Sequence, residues 1–232
     1  MNEECWYYIE PNQEMPTGGC ELCKAEEWCD EYCPIYKNMK AAFTNSNLEE
    51  KFWYPFNLRQ VSIDKNAVYQ VMSIRDNLSQ FVAEGRNVLL QSSKCGNGKT
   101  SWGIKLLQKQ IELNCKKSTM PAYFVYVPSL LLEARQSINN KDSKFENIQA
   151  ILQTCPLVLF DEIAGISLKD YDLLILSTII EKRINKQLSC IFTTNCENDV
   201  LKINLGDRLF DRINRLSTVI TFKGNSMRGI ND

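Results

Sequence analysis

Apolar residues in this chain gather into short unbroken runs separated by stretches at helical spacing, and that alternation predicts its architecture. NVLLQSS from Asn87, AYFVYVPS from Ala122, PLVLFDE from Pro156, LSCIFTTN from Leu188 and STVITFKG from Ser217 read as strands. Strands without a polar face belong in a sheet covered on both sides, which implies a largely parallel one. Helical patterns fall between most of them, namely SWGIKLLQKQIEL, LLLEARQSI and YDLLILSTIIEKRINK. Ahead of the first strand, Val68, Val71, Met72, Leu78, Phe81 and Val82 recur at helical spacing, with Asp64 as the N-cap and Gly85 as the stop. The preceding CPIYKNMKAAFTNSNLEEKFWYPFNLRQ shows no sustained period and reads as a connector that packs against something.

Composition adds size and a charge division. With 232 residues, 44% hydrophobic and 24% charged, the chain can form one α/β domain and a small appendage. No apolar run approaches the roughly 20 residues of a membrane span, and MNEECWYYIE lacks the pattern of a secretory leader, so the expected compartment is the cytoplasm, without a membrane partner. Residues 1–33 carry nine acids against Lys24 alone, a net charge of −8; since the whole chain is at −1, residues 34–232 carry +7. Any nucleic-acid contact is therefore expected from the larger part, and a protein contact from the acidic segment.

Ten cysteines and no histidine narrow the metal chemistry. Cys20, Cys23, Cys29 and Cys33 have the spacing C-x2-C-x5-C-x3-C, which suits a four-thiolate zinc site. An iron–sulfur cluster, or a disulfide-bonded or merely cysteine-rich tail, fits the same residues, and Cys5 is an alternative ligand. A short segment of this kind lacks a core of its own, so bound metal would supply its folding energy. Cys95, Cys115, Cys155, Cys190 and Cys196 are scattered and read as reduced thiols.

The segment SSKCGNGKTSW follows the first strand and opens a helix, the context required of a phosphate-binding loop. Gly96 and Gly98 let backbone N–H groups turn toward phosphate, Lys99 would neutralise the β- and γ-phosphates, and Thr100 would offer its hydroxyl to Mg²⁺. Asn97 and Ser101 complete the candidate binding stretch. Ser93 stands where the usual pattern has glycine, which is tolerable if that position needs no positive φ. LVLFDE, residues 157–162, ends a strand with two carboxylates. Asp161 would hold Mg²⁺ through water, and Glu162 would activate the attacking water. Asn195, closing the next strand, could position that water from the side opposite Glu162; a strand-ending turn is the plain alternative.

This order of elements resembles the AAA+ ATPases, with Walker A at 93–100, Walker B at 157–162 and sensor 1 at Asn195. LGDRLFDRINRL, residues 205–216, is similar to the arginine-finger segment of bacterial replication initiators and helicase loaders. The resemblance makes Arg212 the finger and Arg208 its companion; ordinary surface pairing with Asp207 and Asp211 is the other reading. FKGNSMRGIND resembles the short ending of DnaC- and DnaI-type loaders, which makes Arg228 the candidate sensor 2. The likeness covers roughly residues 60–232. It implies a P-loop AAA+ three-layer α/β sandwich with a five-stranded, mainly parallel sheet and no separate lid, completed as a homo-oligomer in which arginines act on a neighbour's nucleotide. The implied division is a cysteine-rich helicase-gripping module at 1–45, a linker at 46–62 and the ATPase domain at 63–232. The implied activity is ATP-dependent loading of a DnaB-type hexameric replicative helicase onto single-stranded DNA, with ATP, Mg²⁺ and Zn²⁺ as cofactors. A transposon helper ATPase similar to IstB and a non-catalytic zinc-bearing adaptor are the competing expectations.

Overall fold

A computed structural model describes residues 34–53, 64–117, 119–138, 144–165 and 168–224. Its strands are β1 (Asn87–Gln91), β2 (Ala122–Tyr126), β3 (Leu157–Asp161), β4 (Ser189–Thr194) and β5 (Ser217–Thr221). They form a single sheet in the order β2-β3-β4-β1-β5, with every pairing parallel. All residues of β3 and β4 are buried, as their unbroken apolar runs require.

Helices α1 (Pro34–Asn45), α2 (Lys65–Asp76), α3 (Leu78–Ala83) and α4 (Lys99–Leu113) contribute to the core on one face of the sheet. Helices α5 (Val127–Ser137), α6 (Lys144–Leu152), α7 (Asp170–Asn185) and α8 (Asn198–Leu216) contribute to the core on the other. The strands divide their side chains with the two-residue period of extended backbone: Val88, Leu90, Leu157, Leu159 and Ile191 join the first core, and Leu89, Val158, Phe160, Cys190 and Phe192 the second. Phe160 and Phe192 stack with ring centroids 5.6 Å apart. Because α4 follows β1 onto one face and α8 follows β4 onto the other, the adjacent carboxyl ends of β1 and β4 form a switch point where open α/β sheets bind ligands.

The structure differs from the sequence reading at several elements. The single helix expected before β1 breaks at Asn77, whose side-chain amide donates to the Ser73 carbonyl at 3.0 Å. Met72 is 38% exposed, whereas Val68, Val71, Leu78 and Phe81 are buried. Asp64 precedes α2, but its carboxylate accepts the backbone N–H groups of Lys223 and Gly224 and makes no cap bond. Gly85 does end α3's turn, at φ +63°, where a Cβ would lie 2.5 Å from the Gln187 carbonyl oxygen. The strand from Ala122 stops at Tyr126, because Val127 and Pro128 already open α5.

The supposed connector contains α1, which buries Met39, Ala42 and Phe43 on one side. Beyond it, Ser46 O accepts the Phe124 N–H at 2.8 Å, and Asn47 donates to the Phe124 carbonyl at 3.0 Å, closing the outer edge of β2. The expected boundary between residues 45 and 46 falls within this packed stretch. On the far side, fully buried Arg183 donates to the carbonyls of Leu152, Cys155 and Ser189, tying the end of α6 to α7 and β4.

Candidate nucleotide site

The loop between β1 and α4 stands at the switch point. Positive φ within it is confined to Gly96 (+74°) and Gly98 (+90°), so Ser93 fills its position with an ordinary backbone. The neighbouring Ser92 shapes the loop: its hydroxyl accepts the Lys94 N–H at 3.1 Å and the Asn97 side-chain amide at 2.6 Å. Asn97 is buried, and its Oδ1 accepts from Lys99 Nζ at 2.9 Å. The same ammonium donates to the Lys94 carbonyl at 2.9 Å, which holds it inside the curve of the loop. Ser101 lies in the first turn of α4, whose N-terminal end adds positive potential.

Across the switch point, Thr100 Oγ1 donates to Asp161 Oδ1 at 2.7 Å. Asp161 is 6% exposed, and burial pushes its carboxyl above the ordinary range, against the bonds from Thr193 and Thr100. One hydroxyl and one carboxylate in contact offer the hard oxygen donors that Mg²⁺ takes beside phosphate, so these residues fit that ion. Among the described residues no cluster of three acid or cysteine side chains could hold a metal unaided. Cys20, Cys23, Cys29 and Cys33 lie outside the described residues, as does Arg228.

Glu162 sits just past β3 with φ +57°, uncommon for any residue but glycine. Its carboxylate is held from two sides. Asn195 Nδ2 donates to Oε1 and Tyr126 OH donates to Oε2, each at 3.2 Å. The Asn195 amide therefore engages the carboxylate itself. Burial, and then the charge of Glu162, raise the Tyr126 phenol above its ordinary value, which keeps it a donor at neutral pH. Tyr126 carries no sequence motif; its place at the end of β2, in register with Asp161, gives it this role. Beside the loop, a cleft of about 470 Å³ opens at the ends of β1 and β5, lined by Ser92, Ser93, Lys94, Cys196 and Lys223 among others. That size is within the range of small-molecule sites.

Arg208 and Arg212 do not join this group. Both guanidiniums meet Glu181 Oε1 on α7, each at 3.1 Å. Asp207 pairs instead with Lys202, and Asp211 with Arg215. The helix carrying them is broken at Gly206, φ +71°, which sequence patterning did not reveal.

The model of the family described as IstB-like ATP binding protein matches residues 37–231. The chain belongs to the IstB-like ATP-binding protein family. A search of curated proteins finds no match. Solved structures place this IstB-like chain among AAA+ folds. The DnaC helicase loader aligns at a TM-score of 0.59 and 20% identity, over 75% of this chain and 100% of that one. DnaI aligns at 0.59 and 19%, over 75% and 94%. The replication initiator DnaA bound to AMPPCP and single-stranded DNA aligns at 0.56 and 13%, over 70% of this chain and 47% of that one. The sequence resemblance put helicase loaders first and IstB-type helpers second; the family match carries the IstB-like description, and the loaders share the fold. No helix among the described residues is long and apolar enough to cross a membrane.

Proposed function

We propose that this IstB-like protein hydrolyses ATP and uses the cycle to place a DnaB-type hexameric replicative helicase on single-stranded DNA. The observation that carries the hydrolysis reading is the pair of carboxylates at the end of β3, one bonded to the loop hydroxyl of Thr100 and the next held between Tyr126 and Asn195. Backbone N–H groups around Gly96 and Gly98 bind phosphate oxygens, and Lys99 moves from the Lys94 carbonyl to the β- and γ-phosphates. Thr100 and Asp161 would hold Mg²⁺, which would offset the charge of the phosphates. Glu162 takes the proton of the attacking water, and Asn195 fixes the carboxylate's direction.

In this reading the site is completed in trans. Arg212, with Arg208 beside it, reaches a neighbouring copy's nucleotide after leaving Glu181, and Arg228 acts as sensor 2. A zinc module on Cys20, Cys23, Cys29 and Cys33 grips the helicase, and the ATPase domain takes in α1, whose Met39, Ala42 and Phe43 pack into its core, and the stretch that follows. The +7 charge of residues 34–232 supports single-stranded DNA as the ligand of that domain, as does the fold shared with a DnaA structure bound to it.

A transposon helper ATPase is the second reading, favoured by the family match. The test mixes the full chain with the replicative helicase of its host and, separately, with a transposase encoded beside it, each with and without ATP. The loader reading expects a stable helicase complex and ATP-dependent deposition of helicase on single-stranded DNA. A complex with the transposase alone would replace it with the helper reading.

A further inference from the structure

The two carboxylates of the proposed site are joined by a side chain that no motif singles out. Thr193 is 1% exposed in β4, which lies between β1 and β3. Its hydroxyl donates to Asp161 Oδ1 at 2.7 Å and accepts the backbone N–H of Glu162 at 3.0 Å. Its carbonyl accepts the N–H of Ile163 at 2.9 Å. One residue thus holds three consecutive residues of the β3 exit. A hydroxyl has one proton to give and lone pairs to receive with, so both bonds can persist together.

We propose that Thr193 is a positioning residue that sets Asp161 and Glu162 in one geometry. Asp161 Oδ1 accepts two hydroxyl bonds, from Thr100 and Thr193, each at 2.7 Å. Thr100 lies in the first turn of α4, where it would serve the cation, whereas Thr193 is buried inside the sheet and free of that duty. The left-handed backbone of Glu162, φ +57°, persists only where surrounding bonds impose it. The Thr193 hydroxyl supplies one such bond, at the peptide that aims the carboxylate toward Tyr126 and Asn195. The adjacent Thr194 lacks this role: its hydroxyl accepts the Cys196 N–H at 3.1 Å in the turn that follows.

The proposal rests on the hydrolysis reading for its rate effect, and on Asp161 alone for its cation effect. The experiment compares wild type, Thr193→Val and Thr193→Ser as full-length, folded proteins. It measures kcat, KM for ATP, and the ratio of affinities for a fluorescent ATP analogue in EDTA and in Mg²⁺. The expected result for Thr193→Val is a kcat reduced about 30-fold, corresponding to about 2 kcal/mol. The affinity gained from Mg²⁺ should fall at least fivefold, and KM for Mg-ATP should rise by a similar factor while binding in EDTA is unchanged. Thr193→Ser should restore all of these within threefold. If wild type hydrolyses no ATP, the proposed function falls, and the Mg²⁺ ratio still decides the role of Thr193. An unchanged Mg²⁺ ratio in Thr193→Val, or a serine variant as impaired as the valine one, overturns the proposal. Should valine fail to fold, the serine variant and Thr193→Cys carry the same comparison, with cysteine expected to lose the Mg²⁺ gain and serine to keep it.

Discussion

If Glu162 is the base, its two tethers should act as a unit. Tyr126 and Asn195 bond different oxygens of the carboxylate, each at 3.2 Å, so either alone still limits its rotation. A hydrogen bond to a charged group contributes about 1.5–3 kcal/mol. Tyr126 is 41% exposed, and both bonds are long, so water replaces part of each; about 1 kcal/mol is the expected loss for one tether. That is about fivefold in rate. With both removed the carboxylate turns freely, and the double change should cost more than the product of the single ones, about 50- to 100-fold. Phosphate release at saturating ATP and Mg²⁺ by wild type, Tyr126→Phe, Asn195→Ala and the double variant completes the cycle. Because burial and Glu162 raise the phenol above its ordinary value of 10.0, Tyr126 should cause no loss of rate below that pH. A double variant within twofold of wild type would refute the reasoning, as would one whose loss merely equals the product of the singles.

Other expectations concern stability and access. Asp161 has a raised pKa in the folded chain, so its folding contribution is favourable below the ordinary value of 3.8 and is lost as pH rises through the folded value. Asp161→Asn should therefore melt higher than wild type at pH 7 without nucleotide, with the difference shrinking toward pH 4, and should lose the Mg²⁺-dependent stabilisation by ATP. Arg183→Met strips donors from three buried carbonyls, each worth about 1–3 kcal/mol. Relief of a buried charge offsets part of this, leaving a net loss of about 3 kcal/mol and a fall of about 6–12 °C in melting temperature. Cys95 is exposed in the loop, whereas burial raises the Cys155 thiol to about 11. Thiol reagents at pH 8 should modify Cys95 well before Cys155, and ATP should slow the reaction at Cys95.

Strands were legible because their apolar runs allow no other placement, and the loop was legible because glycine, lysine and threonine each answer a requirement of phosphate. Helix α1 was missed although Met39, Ala42 and Phe43 have helical spacing, since the aromatic and polar residues around them blur a stripe only three residues long. The break at Asn77 carries a local bond to Ser73 and the one at Gly206 a left-handed backbone that glycine permits, and hydrophobic periodicity announces neither. That Asp161, Glu162 and Asn195 lie together was readable from their places at strand ends; that the Asn195 amide bonds the Glu162 carboxylate was not. Nor were Tyr126, Ser92 and Thr193: Ser92 takes its role from bonds inside the loop, while a tyrosine ending an edge strand and one threonine of a Thr-Thr pair gain theirs from the strand order that sets β2 and β4 on either side of β3. The ion pairs of Arg208 and Arg212 with Glu181 are equally nonlocal, joining residues 27 and 31 positions apart on two helices.

Of the proposed roles, that of Glu162 in hydrolysis is the one on which the others depend. Wild type and Glu162→Gln are compared for ATP binding at equilibrium and for phosphate release in a single turnover with Mg²⁺. Equal binding is expected, with release slowed at least about 100-fold in the glutamine variant, the scale of a lost general base. Release at the wild-type rate from Glu162→Gln would contradict that role.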